Sequence, residues 1–98
     1  MPKTLKRPAA KPPIRSRERI KTTLRNAFRR EFPHDTVDVS DGYRGNIHIL
    51  VVSRRFDRMS EREKPGFMWQ IINKTDLTED EKSLITVALP VSPQELKQ

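Results

Sequence analysis

Arg54, Arg55 and Arg58 crowd the segment just after the apolar run IHILVV at 47–52, with Arg62 and Lys64 close behind. Such a cluster can hold phosphates, and guanidinium groups do so in a two-pronged fashion. Asp57, Glu61 and Glu63 are interleaved, however, so residues 54–64 net only +2. The plainer reading is a solvated loop with local ion pairs, each worth about 0–1 kcal/mol. If Arg54 and Arg55 leave the strand end on opposite sides, they cannot both face one ligand. Phe56, in the middle, reads as a plug into the core rather than a platform for a base.

Other chemistry is sparse. His48 stands alone inside the apolar run, and one histidine without further ligands cannot make a metal site. His34 lies beyond the first helix, and sequence alone does not pair the two. With no cysteine in the chain, disulfides, thiol nucleophiles and zinc–thiolate sites are excluded. Ser53, Ser60 and Ser83 show no histidine–acid partners. Glu79, Asp80 and Glu81 sit together where a helix N-terminus favours negative charge. Gly42, Gly45 and Gly66 are too scattered for a phosphate-cradling loop. We therefore expect no catalysis, no cofactor and no metal. Trp69, at the margin of an apolar stripe, is expected to pack or lie half exposed; if exposed beside Phe67, the two would form a docking anchor for a protein partner.

The charge is unevenly distributed. Residues 1–19 hold Lys3, Lys6, Arg7, Lys11, Arg15, Arg17 and Arg19 against Glu18 alone, which is +6 of the chain's +7. Pro2, Pro8, Pro12 and Pro13, four of the eight prolines, fall in the same stretch and disfavour helix. Residues 1–15 are thus expected to be a disordered basic arm that contacts nucleic acid, each phosphate contact releasing counterions. A solubilising tail without a dedicated partner is the competing reading. A transit peptide fits less well, because such segments are amphipathic and serine-rich. No apolar run approaches the roughly 20 residues of a membrane span and no signal-peptide core is visible, so no membrane association and a cytoplasmic location are expected.

The 98 residues allow one domain, expected over 16–98, with room for one core. Ile20, Leu24, Ala27, Phe28 and Phe32 make one stripe of a helix over Ser16–Phe32, with Ser16 as a possible cap and Pro33 as the stop. Thr36–Asp41 alternates as a half-buried strand. Asp41-Gly42 and Gly45 mark a hairpin turn into Asn46–Ser53. There Ile47, Ile49 and Val51 share one face and His48, Leu50 and Val52 the other. Ser60 with Glu63 has capping-box spacing, and Pro65-Gly66 is expected to interrupt or kink the helix that follows. Phe67, Met68, Ile71 and Ile72 give that helix its apolar face. Thr78 with Glu81 caps another short helix over Glu79–Ser83. The third strand is LITVALPV, with Ile85, Val87 and Leu89 expected on one face and Pro90 at an edge. Ser92-Pro93 starts a final turn. The order α-β-β-α-α-β predicts an α+β two-layer sandwich, its three-stranded mixed sheet covered by helices on one face.

That order is also the order of the type II KH-like fold, and within it the sequence resembles the BolA-like family. The motifs are an apolar strand ending in Ser-x-x-Phe, here Ser53 and Phe56, and a third strand running into a Ser-Pro turn, here LITVALPVSPQEL. The resemblance spans about Ser16–Leu96. It implies a non-enzymatic regulatory or adaptor protein associated with stress response, transcription regulation, monothiol glutaredoxins, shared iron–sulfur clusters and, in some members, DNA. The implied ligands are missing here. No histidine follows His48, Leu84 or Ile85 occupies the approximate third-strand position, and Asn46 stands in the hairpin. Neither side-chain type is a useful ligand for cluster iron. The Gly-x-x-Gly nucleic-acid loop of KH domains is also absent from Lys74–Leu77. Two functions follow as expectations. One is weak nucleic-acid binding through Lys3, Lys6, Arg7, Lys11, Arg15, Arg17, Arg54, Arg55 and Arg58. The other is cluster-independent adaptation to a glutaredoxin-like partner.

Overall fold

A computed structural model of the chain describes residues 14–96, with side chains from residue 17 onward. Helix α1 spans Ile14–Glu31, strand β1 Thr36–Asp41, β2 Ile47–Val52, helix α2 Glu63–Asn73, α3 Glu79–Lys82, β3 Ile85–Val91 and α4 Pro93–Leu96. One-turn 3-10 segments, Tyr43–Gly45 and Arg54–Arg58, bracket β2. β2 is central, antiparallel to β1 and parallel to β3. The fold is the expected α+β sandwich with a mixed three-stranded sheet.

The core lies where two periodicities meet. Ile20, Leu24, Phe28 and Phe32 recur every fourth residue along α1 and are fully buried. Ile47, Ile49 and Val51 alternate along β2 and are equally buried, whereas His48, Leu50 and Val52 are not. Met68, Ile71 and Ile72 of α2, with Leu77 and Ile85, complete the same cluster. Two buried lysines fasten the layers. Lys21 bonds Glu18 and Asp41, each at 3.0 Å, tying α1 to the end of β1. Lys64 bonds Glu61 at 2.8 Å and lies 3.8 Å from Glu95, tying α2 to α4. Lys64 is therefore no part of an available basic cluster.

Several local expectations change. α1 begins at Ile14, so Ser16 lies inside it rather than capping it. Residues 1–13 lie outside the described residues, and with them the expectation of a disordered arm. Pro65-Gly66 does not interrupt α2. Pro65 falls in the first turn, where its missing N–H would have had no intrahelical acceptor. The expected box is present upstream: Ser60 accepts from the Glu63 amide at 3.1 Å, and the Glu63 carboxylate accepts from the Ser60 amide at 2.9 Å. In β3 the face assignment fails. Ile47 pairs with Ile85 but His48 pairs with Val87, so Thr86 is an extra residue in a bulge. Ile85 is buried, while Val87 and Leu89 switch to the opposite face and are 39% and 49% exposed. Pro90 lies in an edge strand, as expected.

Phe56 reaches the core from the turn after β2 and packs against Phe32 at a ring-centre distance of 5.5 Å and Phe67 at 6.5 Å. Phe56→Ala is expected to lower unfolding stability by about 3–5 kcal/mol, the usual cost of an aromatic cavity. Urea denaturation measures this, and a loss below about 1 kcal/mol would deny Phe56 a keystone role.

Candidate nucleic-acid interface

The arginine-rich turn after β2 is built to place Phe56, and its cations divide accordingly. Ser53 is buried, and its hydroxyl accepts the Arg55 amide at 3.0 Å, capping the 3-10 turn. Arg55 then folds back toward α1. It donates to the Glu31 carbonyl at 2.7 Å and the Glu31 carboxylate at 3.0 Å. Its guanidinium carbon also lies 4.6 Å from the centre of Phe32 and 5.3 Å from that of Phe67. One cation thus closes the aromatic cluster and joins three elements. Arg55, expected as a phosphate ligand, is instead committed to the fold. Arg54 and Arg58 remain exposed, with no carboxylate at ion-pair distance among the described residues.

Phe67 and Trp69 do not form one docking anchor. They are two residues apart on α2, so their side chains do not face each other. Both are half-buried against the core, and Phe67 is also covered by Arg55.

The other end of α1 meets the hairpin. Arg17 lies 3.6 Å from Asp41, and its guanidinium sits over the Gly45 backbone, 3.2 Å from where a Cβ would stand. Arg17 too is engaged in the fold. Hydrogen bonds to Glu18 and Asp41 raise the Lys21 pKa. The bond from Lys21 in turn holds the Asp41 carboxyl below its usual value, despite opposing desolvation. Gly42 donates to the Asn46 carbonyl at 2.7 Å and lies directly under the His48 ring. His48 is therefore a packing residue of the hairpin. Among the described residues, no group of three or more histidine, cysteine or acidic side chains could hold a metal ion.

Two residues at the hairpin tip escaped sequence reasoning. Tyr43 is 74% exposed, and Arg44 lies over its ring, 5.2 Å from the centre. Arg44 is left-handed, at φ 57° and ψ 38°, which costs a residue with a side chain about 1–2 kcal/mol. The available signal was an aromatic and an arginine inside a Gly-x-x-Gly hairpin turn, where neither can reach the core. A cleft of about 460 Å³ between α1 and the end of α2 is lined by Thr23, Asn26, Arg30, Glu31, Lys74 and Asp76, among others. Arg30 and Lys74 lie at helix C-termini, where the dipole alone accounts for positive charge.

The arm's remaining predicted contacts, Lys3, Lys6, Arg7 and Lys11, lie outside the described residues, as does the Arg15 side chain. α1 starts beside the hairpin and ends at the arginine-rich turn, so its 18 residues set the helix start about 27 Å from that turn. No protein-family model, curated protein or solved structure matches the chain.

Arg55→Ala is expected to cost about 1–2 kcal/mol of stability, from one exposed ion pair and its cation–π contacts, with oligonucleotide affinity within twofold of the parent. Urea denaturation and fluorescence anisotropy check the two halves. Unchanged stability with a large affinity loss would restore Arg55 as a ligand.

Proposed function

We propose that the chain is a non-enzymatic, BolA-like regulatory protein that binds nucleic acid weakly through phosphate contacts of its basic arm. The supporting observation is the division of charge. Lys3, Lys6, Arg7, Lys11 and Arg15 precede any acid in the sequence. Within the domain, Arg17, Arg19, Lys21, Arg55, Lys64 and Lys82 are bound to carboxylates. Residues 1–15 carry +5 of the chain's +7, so the net charge resides mainly in the arm. Arg54 and Arg58 add two exposed cations near the C-terminal end of α1.

Salt-dependent anisotropy tests this reading. Five arm contacts would give a slope of log affinity against log salt of about −3.5 on a single strand. Deleting residues 2–13, which spares α1, removes four of the cations and should flatten the slope by about 2.8. Absent or salt-insensitive binding, or affinity unchanged by the deletion, contradicts the proposal.

A second reading, a cluster-independent adaptor for a monothiol-glutaredoxin-like partner, draws on the uncovered sheet face. Leu50 and Leu89 are paired across β2 and β3 there, with Val87 beside them. If this reading holds, a glutaredoxin pull-down survives arm deletion and is lost in Leu89→Lys. A cluster absorbance band on mixing would contradict the missing ligands.

A further inference from the structure

We infer that the hairpin tip is a stacking platform for an unpaired base, so that Tyr43 and Arg44 select single-stranded over duplex nucleic acid. This rests on the phosphate-binding reading above and names its substrate class.

Tyr43 is the most exposed of the large apolar side chains described, and no residue of its turn is buried. It contributes nothing to the core, and turns of this kind are ordinarily built from small polar residues. Beside it, Arg44 occupies a left-handed backbone position that glycine would fill without strain. The retained side chain is used: its guanidinium lies 5.2 Å from the Tyr43 ring centre, bracing the ring and setting a positive charge next to it. With so much of its surface in solvent, the ring can still receive a base. Aromatic stacking beside a cation is how proteins hold single strands without reading sequence.

The tip is also held in place. Asn46 donates to the Tyr43 carbonyl at 3.2 Å, and the Gly42–Asn46 bond closes the turn below it. Arg17, in the first turns of α1, packs on Gly45. This contact brings the root of the arm to the tip. A strand stacked on Tyr43 therefore has its flanking phosphates near Arg44 and Arg17. The nearby carboxylate, Asp41, is already bonded to Lys21 and faces Arg17, which limits its repulsion of phosphate. A duplex keeps its bases paired and stacked, so it offers the ring no free face.

Tyr43 is the chain's one tyrosine, so incorporating 3-fluorotyrosine gives a single fluorine NMR signal. The full chain is titrated with a short oligothymidylate, its ribo-counterpart oligouridylate, an abasic strand of equal length and a duplex. Mixed phosphatidylcholine–phosphatidylglycerol vesicles form a further arm. The expected result is a signal that moves with either base-bearing single strand, saturates in step with anisotropy, and stays still with the abasic strand. Tyr43→Ala should weaken oligothymidylate binding about 10- to 100-fold and leave abasic binding unchanged, while Tyr43→Phe stays close to the parent. Salt-sensitive binding with a stationary signal and an unaffected Tyr43→Ala overturns the platform but leaves the phosphate-binding reading standing. Binding of neither single strand overturns both. A signal that moves with vesicles and not with oligonucleotides overturns the inference in favour of an anionic lipid surface.

Discussion

The Phe32–Phe56–Phe67 cluster couples three separate pieces of chain: the end of α1, the turn after β2 and the middle of α2. Its rings meet at 5.5–6.5 Å in tilted and edge-on arrangements, which aromatic quadrupoles favour. Phe56 enters from a loop and has no strand ladder to hold it. Ser53 supplies the substitute by capping the turn, and Arg55 seals the cluster from the solvent side. The Ser-x-x-Phe spacing is therefore a packing device. Ser53 sets the turn, and the turn delivers the ring one residue after the arginine that covers the cluster.

This arrangement decides which cations remain available. Arg55 and Arg17 are both drawn into the fold, at opposite ends of α1. Lys21 and Lys64 are buried with acids for company. A buried ammonium without such partners would carry a heavy desolvation penalty. In a domain whose positive and negative charges nearly balance, structural pairing consumes much of the basic content. A count of basic residues read from composition thus overstates the cations that stand unpaired on the folded surface.

The hairpin tip differs from the rest of the domain in having no structural debt. Its backbone is fixed by the Gly42–Asn46 closure and by Arg17, while the side chains of Tyr43 and Arg44 project without a partner in the core. Rigid backbone beneath exposed aromatic and cationic groups lowers the entropy lost on binding. The open face of the sheet presents the contrasting case. Its Val87 and Leu89 are exposed because, among the described residues, no second layer of helices covers them.

Much of the architecture was legible in the sequence. Four-residue spacing from Ile20 to Phe32 determines the buried face of α1, while in β2, where five of six residues are apolar, His48 alone marks the open face. The capping pairs Ser60–Glu63 and Thr78–Glu81 were equally local, and both form. Tertiary structure decided the rest. The bulge at Thr86 inverts the faces of β3, and it depends on pairing with a strand more than thirty residues earlier. The fate of Arg55 depends on Glu31 and Phe32, 24 and 23 positions away in the chain. The partners of a long cationic side chain are chosen by whatever the fold brings within reach. For that reason the sequence determined that a basic cluster follows β2, and only the packing decided that its central arginine is structural.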